Sequence, residues 1–159
     1  MIMDRVRLGK SDIQVTQVLM GTWQAGKAMW AGIEDAETSR AIRAAYDAGI
    51  HAFDTAASYG KGHSERILGA ALAPVRDRVV LATKVPSHLL QYDQVIESCH
   101  SSLENLKTDY IDLYQIHWPA GSFKSELVPI EETMRALNDL KEQGKIRAIG
   151  VSNFSRTQL

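Results

Sequence analysis

Cysteine is nearly missing from this chain. Cys99 is the one thiol among 159 residues, so no intramolecular disulfide can form. It falls inside a helical pattern, where a lone cysteine acts as a small apolar filler. No apolar run approaches the roughly 20 residues of a membrane span. The opening Met1-Ile2-Met3-Asp4-Arg5 lacks the apolar stretch of a signal peptide. A cytoplasmic setting is therefore expected. An excess of one charge is missing too: 18 Lys and Arg stand against 19 Asp and Glu, a net charge of −1. No basic block points to nucleic acid, and no acidic tail points to a solvated arm.

Several functional motifs are also missing. Gly21-Thr22-Trp23-Gln24-Ala25-Gly26 has the wrong spacing for the glycine-rich turn of an open dinucleotide-binding sheet. No Gly-x-Ser-x-Gly elbow supports a serine hydrolase. No close His/Cys spacing supports a metal site, and no metal is expected.

What is present is a regular alternation of strand and helix signals, with no linker or low-complexity stretch to divide it. Residues 1–17 read as a small hairpin, with Val6 and Leu8 alternating with Arg5 and Arg7 as a half-buried strand. Residues 18–159 read as successive βα units of one domain. The expected strands are 18–23, 50–54, 79–84, 111–117 and 146–151. Between them lie four helical stripes, the third carrying Val95, Ile96, Cys99, Ser102, Leu103 and Leu106 at intervals of three and four. The fourth stripe is Ile130, Met134, Leu137 and Leu140. Asp35 and Ser64 are the expected caps of the first two helices, and Pro74 stops the second. Pro129 opens the fourth. Ser155 reads as the cap of a fifth helix. Strand ends recur about every 30 residues, one βα unit each time. Five such units suit either a doubly wound open sheet or the first part of a (β/α)8 barrel, and a full barrel takes roughly 250 residues.

Four polar residues stand at or just beyond the expected strand ends: Asp54, Tyr59, Lys84 and His117. In a parallel α/β protein the carboxyl ends of the strands share one face, where ligands bind. Taken singly, each has an ordinary explanation as a cap, a packing residue, a solvated lysine or a core histidine. Their joint placement on successive units is harder to explain that way. A phenol titrates near pKa ~10, and a nearby ammonium is expected to lower that value. Asp54 can hold Lys84 through an ion pair, and His117 can orient a substrate oxygen. Together they suit a carbonyl becoming an alkoxide. The set lacks a hydride source, so a cofactor must bring one. Trp23, Trp30 and Trp118 follow strand ends as pocket walls or loop packing.

The stretches Gly21-Thr22-Trp23, Phe53-Asp54-Thr55-Ala56-Ala57-Ser58-Tyr59-Gly60, Ser64-Glu65 and Ala82-Thr83-Lys84 recur in one family in this order. So do residues 108–119, Gly144-Lys145-Ile146-Arg147 and residues 149–154. With them the chain resembles the aldo-keto reductase superfamily, most of all its bacterial, general-stress-type members. The resemblance implies the N-terminal portion of a (β/α)8 TIM barrel: a β-hairpin, then five parallel strands and about four helices. It implies NADPH-dependent reduction of aldehydes and ketones, with Tyr59 as proton donor and Asp54, Lys84 and His117 as its catalytic partners. It implies that Ser152 and Asn153 hold the nicotinamide carboxamide, with Gly21, Thr22, Trp23 and Asp54 beside the cofactor. Trp23 and Trp118 become substrate-pocket walls.

The family chain continues for three more βα units, which carry the grip on the adenosine 2′-phosphate and pyrophosphate. A truncated barrel with weak or no NADP(H) binding is therefore expected for this chain, with open sheet edges that favour self-association. The alternative expectation is an inactive half-barrel, stabilised by self-association or by a partner half.

Overall fold

Strands rich in Val, Ile, Ala and Leu, separated by amphipathic helices, leave the chain one way to bury both kinds of apolar surface: a parallel sheet with its crossover helices laid against it. The computed structural model describes residues 4–159 and has this arrangement. The part of the expected hairpin at residues 1–3 lies outside the described residues.

A two-stranded antiparallel hairpin comes first, β1 (Arg5–Arg7) and β2 (Gln14–Thr16). The main sheet contains β3 (Met20–Gly21), β4 (Ala52–Asp54), β5 (Val80–Val85), β6 (Ile111–Ile116) and β7 (Ile146–Val151), all parallel. Between them run α1 (Asp35–Asp47), α2 (His63–Leu72), α3 (Tyr92–Leu106) and α4 (Ile130–Glu142).

The strand order decides the architecture. It is β3-β4-β5-β6-β7, the order of the sequence. A doubly wound sheet reverses its direction of winding at a switch point. This sheet never does, and right-handed crossovers that always step the same way put every helix on one face. The four helices accordingly pack in series, α1 on α2, α2 on α3, α3 on α4. That is the winding of a (β/α)8 barrel, carried through five strands.

The helix-facing side of the sheet holds the main core: Phe53, Leu81, Val85, Tyr114 and Ile116 pack with Leu68, Leu72, Val95, Cys99, Leu106, Leu137 and Leu140. Each such buried side chain is worth roughly 1.5–3 kcal/mol relative to exposure. Side chains alternate along a strand, so the intervening positions face the barrel interior. Across the sheet, Asp54, Ala82, Leu113 and Ala148 lie in one register layer, and Lys84, Gln115 and Gly150 lie in the layer above. At the amino-terminal end of this inner face, Ile13 and Val15 of the hairpin pack on Ala52, Val80, Leu113 and Ala148. The hairpin is a plug.

The local differences from the sequence expectations have physical reasons. β1 is exposed throughout, and Val6 is among the exposed hydrophobics, because Ile13 and Val15 supply the plug's apolar face. β3 is only two residues long. Helix α1 begins at Asp35 itself, with Glu34 before it. Helix α2 starts at His63 after Gly62, so Ser64 lies inside the helix and its hydroxyl turns inward to Thr22 and Thr55. Helix α2 ends at Leu72, just before Pro74 as expected, and a separate 3-10 segment over Ala73–Arg78, kinked at Val75, follows it. The buried stripe of α4 is Thr133, Ala136, Leu137 and Leu140, whereas Ile130 is exposed. Pro129 occupies the position before that helix. After Ser155 the chain forms a short 3-10 turn, Arg156–Gln158.

Among the described residues, β3 and β7 each pair on one side only. No helix among them is long and apolar enough to cross a membrane.

Candidate active site

The carboxyl ends of β4, β5 and β6 bring Asp54, Lys84 and His117 to one rim. Asp54 is the last residue of β4, Lys84 the penultimate residue of β5, and His117 directly follows β6. Tyr59 comes from the loop between β4 and α2. That loop is fixed by its own hydrogen bonds, from Tyr59 N to Ala56 O (3.0 Å) and from Ser64 N to Tyr59 O (3.2 Å). All four side chains line one cavity of about 540 Å³, together with Trp23, Met29, Ser58, Trp118, Ser152 and Asn153.

Lys84 is buried, at 5% exposure. Its ammonium donates to Asp54 Oδ1 at 2.5 Å and to the Thr55 carbonyl at 2.7 Å. It lies 5.2 Å from the centroid of the Tyr59 ring. A cation this buried is tolerated only when paired and hydrogen-bonded. The second carboxylate oxygen of Asp54 accepts from Gln115 Nε2 at 3.4 Å. Sequence reading missed Gln115, although it alternates with Leu113 and His117 on the inner face of β6. The Tyr59 and His117 rings meet edge to face, with centroids 5.6 Å apart, and Trp23 stands 6.3 Å from Tyr59 on the other side.

His117 is held through its backbone as well as its ring. Its N–H donates to Val85 O at 2.9 Å, and its carbonyl accepts from Asn153 Nδ2 at 2.9 Å. Asn153 adopts a left-handed backbone (φ 61°), which asparagine tolerates better than most residues. Its Nδ2 also donates to Ser152 Oγ at 3.0 Å.

Beneath the cavity, hydroxyls brace the strand ends. Thr22 Oγ1 donates to Asp54 O (3.1 Å), Thr55 Oγ1 donates to Ser64 Oγ (2.9 Å), and Ser64 Oγ donates to Thr22 O (2.7 Å). Thr22 is thus committed to the scaffold, and neither it nor Gly21 lines the cavity. Trp23, Asp54, Ser152 and Asn153, the other residues assigned to a cofactor from sequence, do line it.

The electrostatics correct one expectation. The phenol of Tyr59 is raised above its ordinary value, first by burial and then by the negative charge of Asp54. Lys84 does not offset these two effects, although its ammonium lies 5.2 Å from the ring centroid. Tyr59 therefore stays protonated well past neutral pH. His117 moves the other way, down to about 4, through burial and then the nearby Lys84 cation, with Asp54 opposing. Its imidazole is neutral at pH 7 and can donate one hydrogen bond without carrying charge. Among the described residues, no group of three His, Cys, Asp or Glu side chains is placed to hold a metal ion.

A sheet wound in one direction, with a phenol, an ammonium–carboxylate pair and a neutral imidazole at its carboxyl rim, defines a (β/α)-barrel type of scaffold with a polar site at its strand ends. Residues 17–159 match the sequence model of the aldo/keto reductase family, and the chain belongs to that family. It is 42% identical to the aldo-keto reductase YhdN of Bacillus subtilis over 99% of this chain and 49% of that protein. It is 39% identical to the methylglyoxal reductase YeaE of Escherichia coli, over 90% of this chain and 47% of that protein. An aldo-keto reductase of Klebsiella pneumoniae solved in complex with NADPH superposes with a TM-score of 0.85. It has 35% identity and covers 99% of this chain and 52% of its own. The chain spans about half the length of the relatives it matches.

Proposed function

We propose that this chain carries the catalytic half of an NADPH-dependent carbonyl reductase acting on small aldehydes or ketones. The observation that carries the reading is the convergence of Tyr59, the Lys84–Asp54 pair and neutral His117 on one cavity.

In this reading the Ser152 hydroxyl and the Oδ1 acceptor of Asn153, which accepts from none of the described residues, stand at the cavity wall. That donor set fits the carboxamide of a nicotinamide, whose NH2 and C=O need one of each. NADPH held there would supply a hydride to the carbonyl carbon. His117 donates a hydrogen bond to the carbonyl oxygen and fixes its direction. Tyr59 delivers the proton as negative charge grows on that oxygen. Asp54 holds Lys84 in place beside the Tyr59 ring, so that the phenol donates from a fixed position against the pair. Trp23 and Trp118 enclose the rest of the substrate. A methylglyoxal reductase among the relatives is in keeping with a small carbonyl compound as substrate. A cytoplasmic setting belongs to the same reading.

A second reading rests on the open edges. β3 and β7 each lack a partner on one side among the described residues. A cavity of about 650 Å³, lined in part by Leu113, Gln115 and Gly150, runs along β7. In this reading the chain is a non-catalytic half-barrel that joins a second copy, or a complementary half, through those edges.

Two measurements test and separate the readings. The first is titration of the 159-residue chain with NADPH, followed by aldehyde reduction by wild type and Tyr59→Phe. The reductase reading expects binding, and a loss of about 10²–10⁴-fold in the variant. Equal rates in both proteins would remove Tyr59 from its role. The second is native mass spectrometry, where a stable monomer counts against the edge-joined assembly.

A further inference from the structure

The ring of His117 has two nitrogens, and the structure gives them different surroundings. Nδ1 lies 3.3 Å from the hydroxyl of Ser58, the residue just before Tyr59. Nε2 makes no hydrogen bond to any of the described residues, while the ring lines the cavity. We propose that Ser58 is a positioning residue that donates its hydroxyl proton to His117 Nδ1 and so keeps the imidazole in the Nε2–H tautomer.

The argument starts from proton count. A neutral imidazole carries one N–H, on one nitrogen or the other, and the bond made by the first nitrogen decides which role is left to the second. A carbonyl oxygen can only accept. A neutral His117 that orients such an oxygen must donate from the nitrogen facing the cavity, so Nδ1 must be an acceptor. The side-chain partner within reach of Nδ1 is a hydroxyl, which can donate. Were Ser58 to accept instead, Nε2 would show the cavity a lone pair, which repels a carbonyl oxygen. The backbone bonds at His117 N and O fix where the ring stands but do not choose its tautomer. Ser58 does. The same loop therefore supplies both the phenol and the group that sets its partner's tautomer.

This inference rests on the reductase reading for its purpose, but its test does not depend on that reading. The measurement is 15N NMR of the full chain labelled in histidine, without cofactor or substrate, near neutral pH. The groups facing His117 are Ser58 and the Tyr59 ring, with Lys84 and Asp54 acting through their charges. The His117 signals are assigned by their loss in His117→Gln. Wild type is expected to show Nε2 as the protonated, pyrrole-type nitrogen and Nδ1 as the unprotonated, pyridine-type nitrogen. In Ser58→Ala the two shifts should move toward each other as the tautomers mix, and Ser58→Thr, which keeps the hydroxyl, should restore the wild-type pair. Protonated Nδ1 in wild type, or shifts unchanged in Ser58→Ala, would overturn the proposal. Absence of reductase activity would leave the NMR result standing and would count against the reductase reading alone.

Discussion

Lys84 and Asp54 meet through a 2.5 Å contact between the ends of β5 and β4, and this pair sets the electrostatics of the whole rim. The carboxylate adds to burial in keeping Tyr59 protonated, whereas at His117 the ammonium outweighs the carboxylate and helps keep that ring neutral.

Replacing Lys84 by Met removes the donor to both Asp54 Oδ1 and Thr55 O. Because Asp54 retains some solvent contact, the expected cost is about 2 kcal/mol, the range of a hydrogen bond to a charged group. The His117 pKa should rise from about 4 toward its ordinary 6.5, since one cause of its depression is gone and Asp54 stands unpaired. Urea unfolding and an NMR titration read the two effects. An unmoved His117 would show that burial alone depresses it.

The depressed His117 makes stability depend on pH with a definite sign. The unfolded state takes up the proton near 6.5, but the folded state does so only near 4. The contribution is fully present above pH 6.5 and is lost as pH falls through about 4. Urea midpoints of wild type should therefore drop across that window more steeply than those of His117→Gln. Parallel curves would contradict the assignment.

Gly26 and the Tyr59–Gly60 backbone touch. A Cβ at Gly26 would lie 2.6 Å from the Tyr59 carbonyl carbon and 2.8 Å from Gly60 N. Gly26→Ala should push the Trp23 loop and Tyr59 apart, at a cost of about 1–3 kcal/mol for overpacking. Thermal unfolding checks the cost. A loss of quenching between Trp23 and its neighbours would report the displaced loop.

Asp112 is a stability centre remote from the chemistry. It is buried on β6, accepting from Arg76 at 2.9 Å, Arg147 at 2.7 Å and Leu81 N at 3.0 Å. Asp112→Ala should cost about 1–3 kcal/mol, because it leaves the buried Leu81 N–H without its acceptor and takes the carboxylate from part-buried Arg76 and exposed Arg147. A denaturation midpoint within error of wild type would rule that out.

Much of this was legible in the residues. Asp54, Lys84 and His117 could be placed on one rim because strand signals repeat every βα unit and parallel strands put their carboxyl ends together. Cys99 was readable as filler, and it is fully buried with its thiol pushed up to about 12. Ser58 and Gln115 were not readable as site residues. A serine in a loop and a glutamine in a strand carry no pattern until the partners 59 and 61 residues away are brought beside them.

The sequence by itself determined the alternation of strands and helices, the family, and four of the residues that line the cavity. These depend on local periodicity and residue type. Tertiary structure decided the rest. It chose one-way winding over a doubly wound sheet, because strand order is a property of which edges pair. It turned Thr22 and Ser64 into braces, because their hydroxyls met each other in the interior. It also raised the Tyr59 pKa where proximity to a lysine suggested lowering it, because a pKa answers to burial and to the sum of all nearby charges, and that sum exists only once the chain is folded.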